Sequence, residues 1–586
     1  PLIYHFGGLS SVVPTEMLEK IDFYPGNFSA VYGRAQGGIV DVGLKSPPSD
    51  KLHGLVQVDN IDVRALLQGP VPFLKGWTFS AAGRRAYFGD TWLPNVLQAL
   101  GAGATQGPVY YDYQFLLETK PTPDSLYRVS FFGSDDGVRL LLGTPGAGEP
   151  ALSGNAGFST AFKRLQMRYE HRISDDDEIR FVAAAGEDNI NVGVGNIFFK
   201  LDNRQITGRG EYSHRFGKGA RLNTGIDMQI GQAMVRARLP PAPAPGQPPN
   251  QPLSTRPPVE VQATGLVYYP AAYAEMELTP DARVRLVPGF RIDYFNTTKR
   301  TELSPRMNAR VELRSEFPKT TLKGGAGIFH QQPQPQETLP PFGTAGLRAN
   351  RAIHYSLGLE QQILPQFEVS LEGFVKQLDS QVVQGFGAGG GNAVQYANSG
   401  EGLVVGGELL ARYKASERDP FFGWIAYTLS RSTRVDRPGA IERLVPFDQT
   451  HILTALGSYR LGSGWEFGAR FRLISGSLVT PNVCDASSPS CDPNQLNGLF
   501  HAASGAYTAI PSGLPASERL PLFHQLDLRI DKKWKFKDWS LSGYLDILNV
   551  YAAQNVEGLS YNFNFSARAT VSGLPILPQL GLRGEF

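Results

Sequence analysis

The chain of 586 residues is short of charge, of cysteine and of long apolar runs, and each shortage excludes something. Charged residues make up 19%, below the roughly 25% usual in globular proteins. Net charge is +2, so no polybasic field points to nucleic acid. No run of 18 apolar residues occurs, which excludes helical membrane spans. That test leaves a membrane barrel untouched, because barrel strands are only half apolar. No His-Glu-x-x-His, Walker loop or nucleophile elbow is present, so nothing marks an enzyme. Gly385, Gly387 and Gly390 spell a dinucleotide fingerprint, but no helix follows, and the stretch reads as a flexible loop. There is no initiator Met and no signal-like start, so the sequence reads as trimmed.

The only cysteines, Cys484 and Cys491, lie close together in NVCDASSPSCDPNQLNG. The pair points to a disulfide in an oxidising compartment, and the loop lacks metal-ligand spacing. The nine histidines are scattered. Asp135 and Asp136 in GSDDG, and the run Asp175 to Asp177, read as solvated turns rather than paired catalytic carboxylates. No metal or cofactor is expected.

Glycine and proline are plentiful, 65 and 43 residues, but they cluster between patterned segments. Those segments repeat with period two. In HQLDLRIDKKWKF at 524–536, Leu526, Leu528, Ile530, Trp534 and Phe536 share one face, with Gln525, Asp527, Arg529 and Asp531 on the other. Lys532 is the one intruder on the apolar face, where a lysine can snorkel. Such alternation marks a strand with one apolar and one wet side. Similar runs recur along the chain, for instance at 109–118, 125–134 and 540–556. Many exceed the 5–6 residues typical of globular strands. Aromatic residues gather near their ends, as interfacial girdles require.

Connections alternate in length. Short ones fall at 175–177, 217–219, 280–281, 317–319, 365–366, 462–464 and 537–539. Long ones fall at 90–108, 139–157, 239–259, 332–349, 384–400 and 482–518. This is the pattern of an outer-membrane barrel, long connections outside. Both barrel ends should lie on the periplasmic side, so the strand number is even. Splitting 51–70 at a tight turn near Asn60–Ile61 brings the count from 21 to about 22. The expected fold is therefore all-β: a transmembrane antiparallel barrel of about 22 strands over residues 48–586. A barrel that wide needs its lumen blocked. Residues 1–47 precede the first strand and mix glycine with apolar residues, as a small folded plug would.

The stretch IDFYPGNFSAVYGRAQGGIVDVGLKSP resembles the end of the plug domain of TonB-dependent outer-membrane receptors. Tyr32, Gly33, Gly37, Gly38, Ile39 and Val40 match the family run in order; its Arg-Gly-Pro becomes Tyr24-Pro25-Gly26 and its Asn becomes Asp41. Arg34 is placed to supply the arginine contact between plug and barrel. Other segments resemble a subgroup of these receptors: GRRAYFGD at 83–90, PVYYDYQ at 108–114, GWIAYTLSRS at 423–432, FDQTH at 447–451, YLDILNVY at 544–551 and GLRGEF at 581–586. The final strand, with Leu580, Leu582 and Phe586 alternating against polar residues, carries the barrel-assembly signal.

The resemblance implies an outer-membrane receptor of a Gram-negative bacterium with no enzymatic step. It would import a scarce ligand (a siderophore, cobalamin, a peptide or a glycan) by energised plug displacement. Its partners would be outer-membrane lipid, the barrel-assembly machinery and the TonB transducer, which grips a segment absent from this sequence. The missing first half of the plug points to truncation. A receptor-derived barrel that anchors a surface complex, with surface or periplasmic partner proteins and no transport, is the alternative. A passive porin is a third reading, against which the plug remnant argues. Ligand candidates are Asp112, Gln114, Arg128 and Arg431 on the lumen face, and Tyr110, Gln331 and Gln332 in loops.

Overall fold

A computed structural model of the chain describes residues 4–5, 10–95, 106–142, 154–239, 258–338, 343–385, 395–414, 419–482, 498–501, 506–508, 510, 515–561, 565 and 567–586. Twenty-two antiparallel strands close into a single barrel, which makes almost no use of helix. Two short strands of the N-terminal segment, β1 (Leu18–Tyr24) and β2 (Ile39–Leu44), pair separately as a hairpin. The barrel then begins with β3 (His53–Asp59), β4 (Asp62–Pro70), β5 (Trp77–Ala86), β6 (Gln106–Thr119) and β7 (Ser125–Leu142). The tight turn expected at Asn60–Ile61 separates β3 from β4.

Alternation along each strand sorts side chains by solvent. On the strand Phe523–Lys535, Leu528, Ile530 and Trp534 point outward and are exposed. Asp527, Arg529 and Asp531 point inward, where Arg470 holds Asp527 at 2.6 Å and Arg529 holds Asp531 at 2.8 Å. Lys532 sits outward over the Trp465 ring, 4.9 Å from its centroid, and its Nζ donates to the Ser463 carbonyl. Leu357, Ile226 and Leu266 are more than 60% exposed on the outer wall. A protein in water does not leave such a belt uncovered, whereas hydrocarbon covers it.

Strand length is uneven. Barrel strands between residues 125 and 281 run to 23 residues, while barrel strands from His451 onward have 9 to 13. At about 3.3 Å per residue and a tilt near 40°, a 20-residue strand rises roughly 50 Å, twice the height of the apolar band. One side of the barrel therefore stands well above the membrane at the long-connection end.

Closure pairs the last strand, Leu577–Glu585, with β3, in register from Leu55 opposite Glu585 to Asp59 opposite Gly581. Phe586 and Gly54 exchange both backbone hydrogen bonds, at 3.0 and 3.1 Å. No strand edge is then left open to lipid, where each unpaired backbone group costs several kcal/mol. Leu580, Leu582 and Phe586 face outward and are exposed along this seam.

Two boundaries differ from the sequence reading. The run 566–586 is not one strand: Arg568–Ser572 belongs to a separate hairpin with Val556–Tyr561, and only Leu577–Glu585 enters the barrel. The connections at 195–196 and 296–299 are tight although they lie at the long-connection end. Cys484 and Cys491 lie outside the described residues, as do Gly387 and Gly390.

Candidate functional site: lumen contacts of the N-terminal segment

The lumen faces of the strands carry charge; much of it is paired strand to strand, as in Arg164 with Asp188 and Lys323 with Glu372, and part of it binds the N-terminal segment. The segment's residues reach the wall at Lys376, which donates to the Pro25 and Gly37 carbonyls at 2.5 and 2.9 Å, and in three further places.

The first is around Arg34. Arg291, fully buried, lies on the lumen face of the strand Val284–Phe295 two residues before Asp293. Its Nη2 donates to Asp227 at 2.8 Å and its Nε to Asp293 at 2.9 Å. Its Nη1 donates to the carbonyls of Ala30 and Val31 at 3.3 and 3.1 Å. On the neighbouring strand, Arg306 Nη1 donates to the carbonyls of Phe28, Ser29 and Tyr32 at 3.1, 2.6 and 2.7 Å. Arg34 returns the contact, with Nη2 at 2.9 Å from Asp227. Ser29 and the Ala30 amide both donate to Glu275. Gly33 lies so close that a Cβ there would sit 2.0 Å from Arg291 Nε. Two barrel guanidiniums thus hold the backbone of residues 28–32 by its carbonyls rather than by its side chains.

The second is around His5. The imidazole is buried between Asp112 of β6 and Asp136 of β7, with Nε2 2.8 Å and Nδ1 2.5 Å from their oxygens. It stacks on Tyr110 at 4.0 Å. Tyr110 in turn donates to Asp62 of β4 at 2.9 Å. Arg84 of β5 donates to Asp112 at 2.7 Å and to the Ser11 carbonyl. Gln114 Nε2 donates to the Val12 carbonyl at 2.6 Å. Below these contacts, Met17 packs with Leu55, Leu66 and Leu116.

The third is where the segment leaves the lumen. Glu16 accepts from Arg583 of the last strand at 2.9 Å and from Arg64 of β4 at 3.3 Å. Arg128 of β7, paired with Glu118, donates to the Leu44 carbonyl at 3.0 Å and to Ser46 at 3.2 Å.

These contacts fasten the segment without filling the lumen. A cavity of about 810 Å³ separates the hairpin face of Ile21, Val40 and Val42 from a wall that includes Arg168 and Arg180. A second, of about 560 Å³, runs along Arg470, Asp527, Arg529 and Asp546. Discrete ion pairs and hydrogen bonds, rather than a continuous apolar core, resist movement of the segment.

The sequence-derived candidates distribute as follows. Tyr32 donates to Asp41 at 2.9 Å, joining the two ends of the glycine-rich loop. Gly38 has no room for a side chain, since a Cβ would sit 2.7 Å from the Tyr24 carbonyl, whereas nothing crowds Gly37. Asp112, Gln114 and Arg128 do face the lumen, but each binds the N-terminal segment. Tyr110 is not in a loop; it is buried within β6. Gln331 ends its strand where the segment turns over, and its Oε1 accepts from the Gln36 amide at 3.3 Å. Gln332 stands beside it with a buried Oε1. Arg431 is on the outer face, opposite Val405 and in line with the exposed Ile425 and Leu429. The strand has risen past the apolar band there, so an outward residue can be charged. Asp136 is no turn residue but a buried strand residue, whereas Asp175 and Asp176 do form a turn.

The family description TonB dependent receptor-like, beta-barrel, matches residues 76–550. The chain belongs to that family. It is a family of outer-membrane receptors and transporters, not of enzymes, and it sets this TonB-dependent receptor in the outer membrane of a Gram-negative bacterium, in contact with lipid and with TonB. No curated protein sequence matches it. Solved structures share its fold. The outer membrane transporter YddB from Escherichia coli aligns with TM-score 0.68 at 11% identity, over 99% of this chain and 86% of that one. A variant of the ferric enterobactin receptor PfeA from Pseudomonas aeruginosa, in complex with enterobactin, gives 0.69 at 14%, over 98% and 87%. The siderophore receptor PirA from Acinetobacter baumannii gives 0.69 at 14%, over 98% and 86%. At such identities the likeness is one of fold. In this receptor Arg291, Arg306, Asp227, Asp293, His5 and Arg84 carry lumen contacts; of these only Arg84 falls in a segment quoted from the sequence, GRRAYFGD at 83–90, and there without an assigned role. Arg291-x-Asp293, two opposite charges on one strand face, is a further trace that could have been read.

Proposed function

We propose that residues 1–47 are the C-terminal part of a plug, residues 48–586 the barrel it closes, and that the receptor imports a scarce extracellular ligand by energised displacement of that plug. The observation that carries this reading is the buried pair Arg291 and Arg306, which hold the segment by backbone carbonyls from the barrel wall. A plug held at a few charged points gives way to a directed pull more readily than one set in a dry core. Binding falls to the place where the segment turns over beneath the long connections, at Gln331 and Gln332. TonB would supply the pull on the plug, and the assembly machinery would read Leu580, Leu582 and Phe586. Siderophores are the first ligand class to test, because similar structures are named as siderophore receptors.

The test is uptake. Cells carrying this receptor as their sole TonB-dependent protein are offered labelled ferric enterobactin, cobalamin, a peptide mixture and oligosaccharides. One class is expected to accumulate, and only while the TonB transducer is present. Accumulation that persists unchanged after deletion of the transducer would contradict the proposal.

A further inference from the structure

We propose that His5 is a proton-dependent positioning residue for the leading end of the plug: as an imidazolium it bridges Asp112 and Asp136 of two barrel strands, and loss of its proton loosens residues 10–13 from the wall. The inference rests on the reading of residues 1–47 as plug.

An ionised carboxylate only accepts hydrogen bonds, so a ring nitrogen facing one must carry hydrogen. Both nitrogens of His5 face carboxylates, at 2.5 and 2.8 Å, and only the doubly protonated ring satisfies both. A neutral ring satisfies one.

Charge points the same way. The groups that face His5 are Arg84 from β5, Tyr110 and Asp112 from β6, and Asp136 from β7; Gln114 and Asp62 stand one contact further out, against Asp112 and Tyr110, and Asp62 has Arg64 as well as Arg84 for a cationic neighbour. Among the described residues its own segment adds Ser10 and Ser11. With the proton, His5 and Arg84 stand against the carboxylates of Asp112 and Asp136. Without it, Arg84 alone faces both, in a site where His5 is fully buried and Asp112 and Asp136 almost so. Arg84 Nη2, 3.0 Å from His5 Nε2, can donate to the neutral ring. That keeps the ring in place but does not restore the lost charge.

Burial by itself pulls the His5 imidazole below its ordinary value of 6.5; the hydrogen bonds to Asp112 and Asp136 outweigh it, and the net effect is upward. A group whose value is raised by docking stabilises the docked state fully below its free value and loses that contribution as pH rises through the docked one. Seating should therefore be firm below the free value of about 6.5 and slacken as pH rises through the higher docked value.

The test is hydrogen exchange at the amides of residues 10–13, in the full chain in a bilayer, corrected for the intrinsic pH dependence of exchange. In the wild type, protection should fall several-fold as pH rises from below the free value through the docked one. His5→Gln, which holds no proton to lose, should exchange at the fast rate throughout. Asp136→Asn, which removes one acceptor and keeps the histidine, should move the midpoint to lower pH. Protection that is present but flat with pH in the wild type, or an identical profile in His5→Gln, would overturn the role of His5 alone. Amides unprotected at every pH would overturn the plug reading with it.

Discussion

Replacing Arg291 with methionine is expected to unseat residues 28–34 from the barrel wall. The guanidinium reaches four partners, Asp227, Asp293 and the carbonyls of Ala30 and Val31, and among the described residues no other side chain donates to those two carbonyls. Methionine fills a similar volume but leaves Asp293 buried beside apolar atoms. Removing one member of a buried ion pair costs about 3–5 kcal/mol, because the other is left uncompensated. Arg34, at 2.9 Å from Asp227 and 3.8 Å from Asp293, makes up part of the loss, more for the first carboxylate than for the second. Exchange at the amides of residues 29–34 should accelerate roughly a hundredfold to a few thousandfold, at about 1.4 kcal/mol per decade. Adding Asp293→Leu should recover part of it, since removing a whole buried pair is often nearly neutral. No acceleration in Arg291→Met would mean that Arg306 and Arg34 hold the loop unaided.

Gly33→Val should be at least as damaging, for a different reason. No left-handed backbone is involved; the position is closed by contact alone. A Cβ would lie 2.0 Å from Arg291 Nε and 2.4 Å from Cζ. A free arginine end could swing away, but this one is pinned by two carboxylates and two carbonyls. Either the guanidinium leaves its site or the loop lifts off. Overpacking alone costs about 1–3 kcal/mol, and displacing the guanidinium would add the ion-pair loss above. The two substitutions act on one contact, so their effects should not add. In an Arg291→Met background, Gly33→Val should cost much less than it does in the wild type. Additive losses in such a double-mutant cycle would show that Gly33 matters through something other than Arg291.

Lipid and water made much of the barrel readable from the sequence. Lipid on one side and water on the other impose period two along every spanning strand, so the strands, their number and the split between β3 and β4 could be read directly. The reading failed where that constraint lapses. Beyond the membrane an outward position can be charged, which put Arg431 on the wrong face. A surface hairpin alternates as a barrel strand does, so Arg568–Ser572 merged with the last strand. Asp136 resembled a turn because GSDDG is turn-like by composition, yet the tall strand continues through it. The lumen contacts were the least legible. Arg291 and Arg306 look like any inward arginine until the fold sets Gly33 and the carbonyls of residues 28–32 against them. The glycine-rich signature located the segment, whereas its partners are scattered over strands far away in the chain.

Seating of this segment in the lumen is what the account depends on, and a cross-link measures it most directly. A Cβ at Gly289 would lie 3.2 Å from the Cβ of Ala30, a few tenths of an ångström short of the roughly 3.5–4.5 Å that disulfides span, a gap that a small backbone shift closes. Ala30→Cys with Gly289→Cys, in a chain carrying Cys484→Ser and Cys491→Ser, should form a disulfide in intact outer membranes on mild oxidation. Gly37→Cys with Gly289→Cys should not. Import should stop in the cross-linked protein and return on reduction. A correctly folded barrel in which Ala30→Cys and Gly289→Cys stay free thiols would contradict the account.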